Sequence, residues 1–402
     1  MKKIGALISL ALLTASSCSE SDVPVVKPEP FTLKSAEVIK QTDAFNWKIF
    51  KAVNELAEPG DNVVVSPISI TQAFGMAING ATGDNLDEML SVMGFTDPEG
   101  LNEAYKNIRA ALSTADPKVA MEIANSAWYR DDFVINEAFF DALRTYYDAR
   151  VSGLDFDNVE KAKQSMNDWV KESTRGKIPS IIDQIAPSHI LFLINAVYFN
   201  GEWSSRFDKS KTTDAPFYLA DGSSVNVKMM QQKEDFQFYS GETYSALRLP
   251  YGDKSFAMTL ILPQGSDDAG GIVNALGTGL WEQLIAPVSE SEVNVYLPRF
   301  KVECTYNLIP ALESVGMERA FYDVYGFRNV ADDDIIISDV RHKTFIEVDE
   351  RGTEAAAATS IGFEVTSMPM VHEFRVDRPF VFVISEKETG TILFAGKIEN
   401  PL

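Results

Sequence analysis

Residues 350–363, Glu-Arg-Gly-Thr-Glu-Ala-Ala-Ala-Ala-Thr-Ser-Ile-Gly-Phe, constrain the fold of this chain more than any other stretch. Taken alone, the alanines between Glu354 and Thr359 read as helix, because alanine is the best helix former. The run also alternates with period two. Thr353, Ala355, Ala357, Thr359, Ile361 and Phe363 fall on one face; Glu354, Ala356, Ala358, Ser360, Gly362 and Glu364 fall on the other. One face is uncharged and ends in two large apolar groups, while both glutamates lie opposite. That is the pattern of a strand able to enter a sheet with one side buried. Small residues at its leading end pass a crowded entry point, where a charge would be stranded in the core. The segment runs on through Val365, Thr366, Ser367 and Pro369 with strand and loop character.

The N-terminus reads as an export signal over residues 1–17. Lys2 and Lys3 form its positive end, Ile4 to Leu13 a short apolar run, and Ala15-Ser16-Ser17 a small-residue cleavage region. The run is too short to span a bilayer. Cys18 follows at once, the arrangement of a bacterial lipoprotein signal, although Ala15 stands where such signals prefer leucine. The expectation is acyl anchoring through Cys18 at the outer membrane or cell surface, with a soluble body; plain secretion or a periplasmic location is the alternative. Residues 18–38, with Pro24, Pro28 and Pro30, read as a tether, and 39–402 as one domain.

Composition excludes several functions. A net charge of −22 leaves no basic stripe, so neither nucleic acid nor heparin-like polyanions are expected partners. The three histidines, His189, His342 and His372, show no metal-ligand spacing, so no metal is expected. No Gly-x-Ser-x-Gly, phosphate loop or dinucleotide fingerprint marks an enzyme or a cofactor. A catalytic triad is assembled in space and is not excluded by counting. Cys304, in a strand-like run, reads as a buried apolar residue; with Cys18 lipidated, no intramolecular disulfide can form.

Phe45, Ile49, Val53 and Leu56 predict a helix over 43–57, and Ala162, Met166, Trp169 and Val170 another over 161–175. Asn62-Val-Val-Val-Ser66 predicts a short strand running into a helix that Ser66 or Ser69 caps and that ends near Gly80–Gly83. The apolar run Leu191 to Phe199 predicts a central, doubly covered strand. Further strands are expected over 246–263, 293–300, 345–348 and 380–385. Helices come first and strands later, which argues for an α+β fold.

The order of segments over nearly all of 40–402 resembles the serpins. Asn62-Val-Val-Val-Ser-Pro-Ile-Ser-Ile is similar to that family's early Ser-Pro-x-Ser turn, and Leu193-Ile-Asn195-Ala-Val-Tyr-Phe-Asn-Gly201-Glu-Trp203 to its third central strand. Leu249-Pro-Tyr251 through Ile261-Leu-Pro263, Leu297-Pro-Arg299-Phe300, and Arg378-Pro-Phe-Val-Phe through Phe394-Ala-Gly396-Lys follow in the family's order.

The resemblance implies helices packed on three β-sheets with an exposed reactive-centre loop, and a suicide inhibitor of proteases that is itself no enzyme. Target proteases would be the partners of a monomer. Glu350, Gly352, Thr353, Glu354, Ala355, Ala356, Ala357, Ala358 and Thr359 would form the hinge. The cut would fall at Thr366-Ser367, sixteen residues after Glu350. Thr366, preceded by Val365, suits elastase-like or subtilisin-like proteases; Phe363 is an alternative bait, and cysteine proteases are admitted as targets. Trp203, Arg299 and Glu350 would sit where the loop enters the sheet, and Ser66, Ser69, Asn195 and His342 beneath the strands that part. The alternative function is a non-inhibitory binding or carrier protein of the same fold.

Overall fold

The computed structural model describes residues 33–265, 268–286, 288–353 and 371–402. Its helices are α1 Leu33–Leu56, α2 Pro67–Ile78, α3 Gly83–Met93, α4 Pro98–Thr114, α5 Glu137–Tyr147, α6 Val159–Ser173, α7 Ala269–Ala275, α8 Trp281–Ile285, α9 Ile309–Ser314 and α10 Arg319–Tyr322. The strands are β1 Val63–Val65, β2 Val119–Arg130, β3 Arg150–Leu154, β4 Leu191–Glu202, β5 Thr213–Tyr218, β6 Ser224–Ser240, β7 Tyr244–Tyr251, β8 Phe256–Pro263, β9 Glu290–Pro298, β10 Phe300–Asn307, β11 Arg341–Val348, β12 Gly352–Thr353, β13 His372–Arg375, β14 Phe380–Glu386 and β15 Ile392–Ile398.

They form three sheets. A nine-stranded sheet runs β1-β15-β14-β8-β7-β6-β9-β13, with β5 beside β6; a four-stranded sheet runs β12-β4-β2-β3; β10 and β11 form an antiparallel pair of their own, with α9 and α10 between them in the chain. The fold is α+β, with helices packed around these sheets. Phe380 to Glu386 and Ile392 to Ile398 are buried at every position, which fits their place inside the large sheet.

Local rules explain the elements, and tertiary packing adjusts their ends. α1 begins at Leu33, ten residues before the apolar pattern that predicts it, because Lys, Ala, Glu and Gln carry a helix without an apolar stripe. Ser66 occupies the N-cap of α2, yet its side chain makes no cap bond; its hydroxyl donates to the Leu393 carbonyl (2.7 Å) on β15 instead. Ser69 lies inside the helix, so neither serine is a side-chain cap. The predicted strand over 246–263 is two strands, β7 and β8, folded back at Gly252-Asp253-Lys254, with Gly252 at φ +51°.

In β4, Phe192 and Ile194 point into a satellite core with Trp128, Phe156, Met166 and Val170, beneath α6, while Leu191, Leu193 and Val197 pack on the main core. Both faces are thus covered, as a twofold period allows. Its pairing is one-sided: β2 runs along one edge from Leu191 to Gly201, and among the described residues only β12 pairs with the other.

Trp128 is 1% exposed, donates its indole N–H to Ser126 Oγ (2.8 Å) and holds α6 to the sheet. Trp128→Ala is expected to lower stability by about 3–5 kcal/mol through cavity formation. Urea unfolding followed by tryptophan fluorescence and circular dichroism checks this.

Candidate functional site

The edge of β4 left free by β2 faces β11 across a slot. Among the described residues no ladder joins the two strands; β11 pairs only with β10, from Arg341↔Asn307 to Val348↔Phe300. Two cavities mark the gap. The larger, about 160 Å³, is lined by Leu191, Leu193 and Asn195 of β4, Ser69 of α2, and Ile337 and His342 on the far side. The smaller, about 30 Å³, lies higher, between Val197 and Phe199 of β4 and Phe345 and Glu347 of β11. Lys177, from the connection after α6, straps the slot, pairing with Glu347 (3.4 Å) and lying over the Phe345 ring (5.3 Å).

The top of the slot is already entered. Beyond β11 the chain turns at Asp349–Gly352, and Gly352 and Thr353 pair antiparallel with Glu202 and Gly201 of β4. Gly352 has φ +136°, and a Cβ there would lie 2.2 Å from the Gly201 carbonyl oxygen, so no other residue fits. Trp203 holds the turn: its backbone N–H donates to the Arg351 carbonyl (2.8 Å) and its indole N–H to the Asp349 carbonyl (3.0 Å). The indole stacks on Tyr251, ring centroids 4.3 Å apart.

Glu350 is 5% exposed and is held from three segments, by two side chains and one backbone N–H. Arg299 donates from both Nε (2.8 Å) and Nη2 to Oε1, and the Thr212 hydroxyl donates to the same oxygen; Phe207 N–H binds the Glu350 carbonyl (2.9 Å). Burial alone would raise this carboxyl, but the bonds from Arg299 and Thr212 together hold it below the ordinary range. Removing Arg299 would leave a buried, uncompensated carboxylate.

A polar cluster lies at the lower end. His342 Nε2 accepts from the Ser66 backbone N–H (3.0 Å), which fixes a neutral imidazole, and the ring stacks on Tyr306. Thr344 donates to the Val64 carbonyl (2.8 Å), which ties β11 to β1. Asn195 donates to Asn125 Oδ1 (2.7 Å) directly across on β2, and Asn125 donates to the Tyr147 carbonyl (2.8 Å). Asn195 Oδ1 is buried with no partner. Ser69, Asn195 and His342 share the wall of the large cavity, with Ser66 bound behind His342.

The fold therefore brings Trp203, Arg299, Glu350, Gly352 and Thr353 to one end of the slot, and Ser66, Ser69, Asn195 and His342 to the other. Glu354, Ala355, Ala356, Ala357, Ala358, Thr359, Phe363, Val365, Thr366, Ser367 and Cys18 lie outside the described residues. Cys304 is buried on β10, 8% exposed, and burial raises its thiol, so it is no nucleophile. Thr212, Asn125 and Lys177 escaped the sequence reading, because each reaches its partner from a segment distant in the chain.

Burial lowers His342 to about 4 from an ordinary 6.5. The unfolded imidazole takes up a proton near 6.5 and the folded one does not until about 4. Stability is thus expected to fall by about 3 kcal/mol as pH drops through that window. His342→Gln should flatten the dependence between pH 6.5 and 4; urea midpoints at half-unit intervals check it.

The family model described as Serpin (serine protease inhibitor) matches residues 40–401. A serpin-like protein of Thermococcus kodakarensis is 34% identical over 396 residues, 96% of this chain and 91% of its own. The leukocyte elastase inhibitor of Sus scrofa is 33% identical, covering 89% and 97%. Among solved structures, the thermophilic serpin tengpin in its native state superposes with a TM-score of 0.82 at 30% identity, covering 90% and 94%. Human thyroxine-binding globulin superposes at 0.83 with 25% identity, covering 92% and 99%. The slot, its turn at Glu350 and the chain-long match agree, and the chain belongs to the serpin family.

Proposed function

We propose that this protein inactivates proteases by inserting its own cut loop between β4 and β11. The observation that carries the reading is the vacant strand position, entered at its top by Gly352 and Thr353. The protease nucleophile attacks the Thr366 carbonyl, the Thr366–Ser367 bond breaks, and the Ser367 amine leaves with the proton of the nucleophile. Thr366 remains as an acyl ester. Insertion then competes with hydrolysis of that ester. Fifteen extended residues span roughly 50 Å, enough to carry the protease to the far end of the sheet.

The register of β12 makes the insertion specific. Continued down β4 from Thr353↔Gly201, it sets Ala355 opposite Phe199, Ala357 opposite Val197, Thr359 opposite Asn195, Ile361 opposite Leu193 and Phe363 opposite Leu191. The uncharged face thereby meets the main core. Ile361 and Phe363 arrive at the 160 Å³ cavity, each gaining about 2 kcal/mol from burial. The Thr359 hydroxyl reaches the position of the unpartnered Asn195 Oδ1. Each new ladder bond adds about 0.5–1.5 kcal/mol. Residues 174–182 cover the slot and must move aside, breaking the Lys177–Glu347 contact.

Thr366 and Val365 favour elastase-like or subtilisin-like proteases, in line with the porcine relative's name; Phe363 is a second bait and cysteine proteases are secondary targets. The inhibitor acts as a monomer without cofactor, outside the cytoplasm, held by acyl chains on Cys18. That location rests on the signal-like residues 1–17. A carrier shares the fold equally well at a TM-score of 0.83, so the hinge decides between the readings. Small residues there favour insertion.

Incubation with an elastase-like protease should give a covalent complex on denaturing gels, with a mass matching cleavage after Thr366. The nicked protein should melt well above the intact one. Thr353→Arg should abolish the complex and leave a cleaved substrate. A cut loop with neither complex nor gain in melting temperature would establish the carrier reading instead.

A further inference from the structure

The cover over the slot is built on α6 and rests unequally on the two strands it bridges. Thr174 donates to the Val170 carbonyl (2.8 Å) and accepts from the Ile178 N–H (3.0 Å), while Asn167 Oδ1 accepts from the N–H groups of Ile181 and Ile182 (2.9 Å each). Residues 174–182 are thus tied to α6 at both ends, so helix and cover form one piece. On the β2–β4 side the hold is broad. Ile178 and Ile182 are buried with Trp128, Phe192 and Ile194, and Arg175 pairs with Glu122 and lies over the Tyr198 ring (4.7 Å). On the β11 side, among the described residues, the polar hold is Lys177 on Glu347 (3.4 Å) and on the Phe345 ring (5.3 Å). Glu347 has a second cation beside it. Lys301 of β10 is its direct cross-strand partner, so both side chains stand on one face, and the Lys301 ammonium lies 5.5 Å from the same Phe345 ring. Lys343, the next cation on that face, is taken by Glu303 (2.6 Å). Lys301 makes no ion pair among the described residues.

We propose that Lys177 is the latch of the slot and that Lys301 takes over Glu347 when the latch opens, which makes both lysines positioning residues for strand insertion. The inference rests on the proposed insertion between β4 and β11. The cover has to leave β11 for a strand to enter, and its thin side is the one that parts: an ion pair and a ring contact there, against a buried apolar patch and Arg175 on β2 and β4. Cross-strand Cβ atoms stand about 5 Å apart, within reach of a lysine and a glutamate. Lys301 therefore meets Glu347 by side-chain rotation alone, with no movement of the sheet. Glu347 is paired before and after opening, and the two states differ in which lysine is used. The Glu347 side chain is 41% exposed and that of Lys177 26%, so the pair is a weak tie that holds the closed slot and yields readily.

Amide hydrogen exchange over 191–199 and 341–348 reads the slot edges in the uncut protein. The ratio of covalent complex to released nicked protein, with an elastase-like protease, reads insertion against hydrolysis. Lys177→Met should speed slot exchange and raise the ratio, each about threefold, and Lys177→Arg should restore both. Lys301→Met should leave exchange unchanged, since Lys301 does not hold the closed cover, and lower the ratio about threefold. In a Glu347→Gln background both effects on the ratio should vanish, because both act through that carboxylate. A merely structural role could not raise the ratio in one variant and lower it in the other. Unchanged exchange in Lys177→Met, or an unchanged ratio in Lys301→Met, would overturn the inference. A wild type giving nicked protein alone rejects the insertion reading and the role of Lys301 with it, whereas exchange in the uncut protein still decides the Lys177 latch.

Discussion

The β4 and β11 edges carry backbone N–H and C=O groups that face one another across cavities without a ladder. Edges of this kind normally recruit a strand, and proteins cover or pair them. Here the cover is the segment after α6, and the proposed function fills the gap with the continuation of β12. The clasp at Glu350 stands at one end of the slot, the polar cluster at His342 at the other, and Lys177 lies between them.

The two ends are built differently. At the top the turn is held by charge-assisted bonds to Glu350 and by a glycine that no side chain can replace, so the first two strand residues are fixed in register. At the bottom the groups are neutral and buried, and one acceptor, Asn195 Oδ1, is unsatisfied. A charged clasp resists opening, whereas a neutral cluster with a spare acceptor gains a bond when a strand arrives. In the proposed mechanism this asymmetry would give insertion a direction, from Glu350 downward.

Much of the fold was legible in local pattern. The apolar spacing of Ala162, Met166 and Val170 specifies a helix because those residues must share one face, and they pack together under Trp128. The run 191–199 is a strand covered on both faces. Less legible were β2 and β6, whose mixed polar and apolar residues lack a clean period, and the early start of α1. The site was half legible. Glu350, Arg299 and Trp203 stand in recognisable motifs, while Thr212 and Asn125 carry no local mark and become partners only when distant strands align.

The sequence by itself determined which face of 353–363 tolerates burial, since alternation is a property of consecutive residues and a shift of one position would expose every apolar group. It also determined that position 352 is glycine, the residue that a φ of +136° against another backbone demands. Only the tertiary structure decided that β4 and β11 stand apart and that Ser66 binds His342 across 276 residues of chain. Those facts depend on long-range strand order and on what each side chain fails to meet, and neither is encoded within any short window.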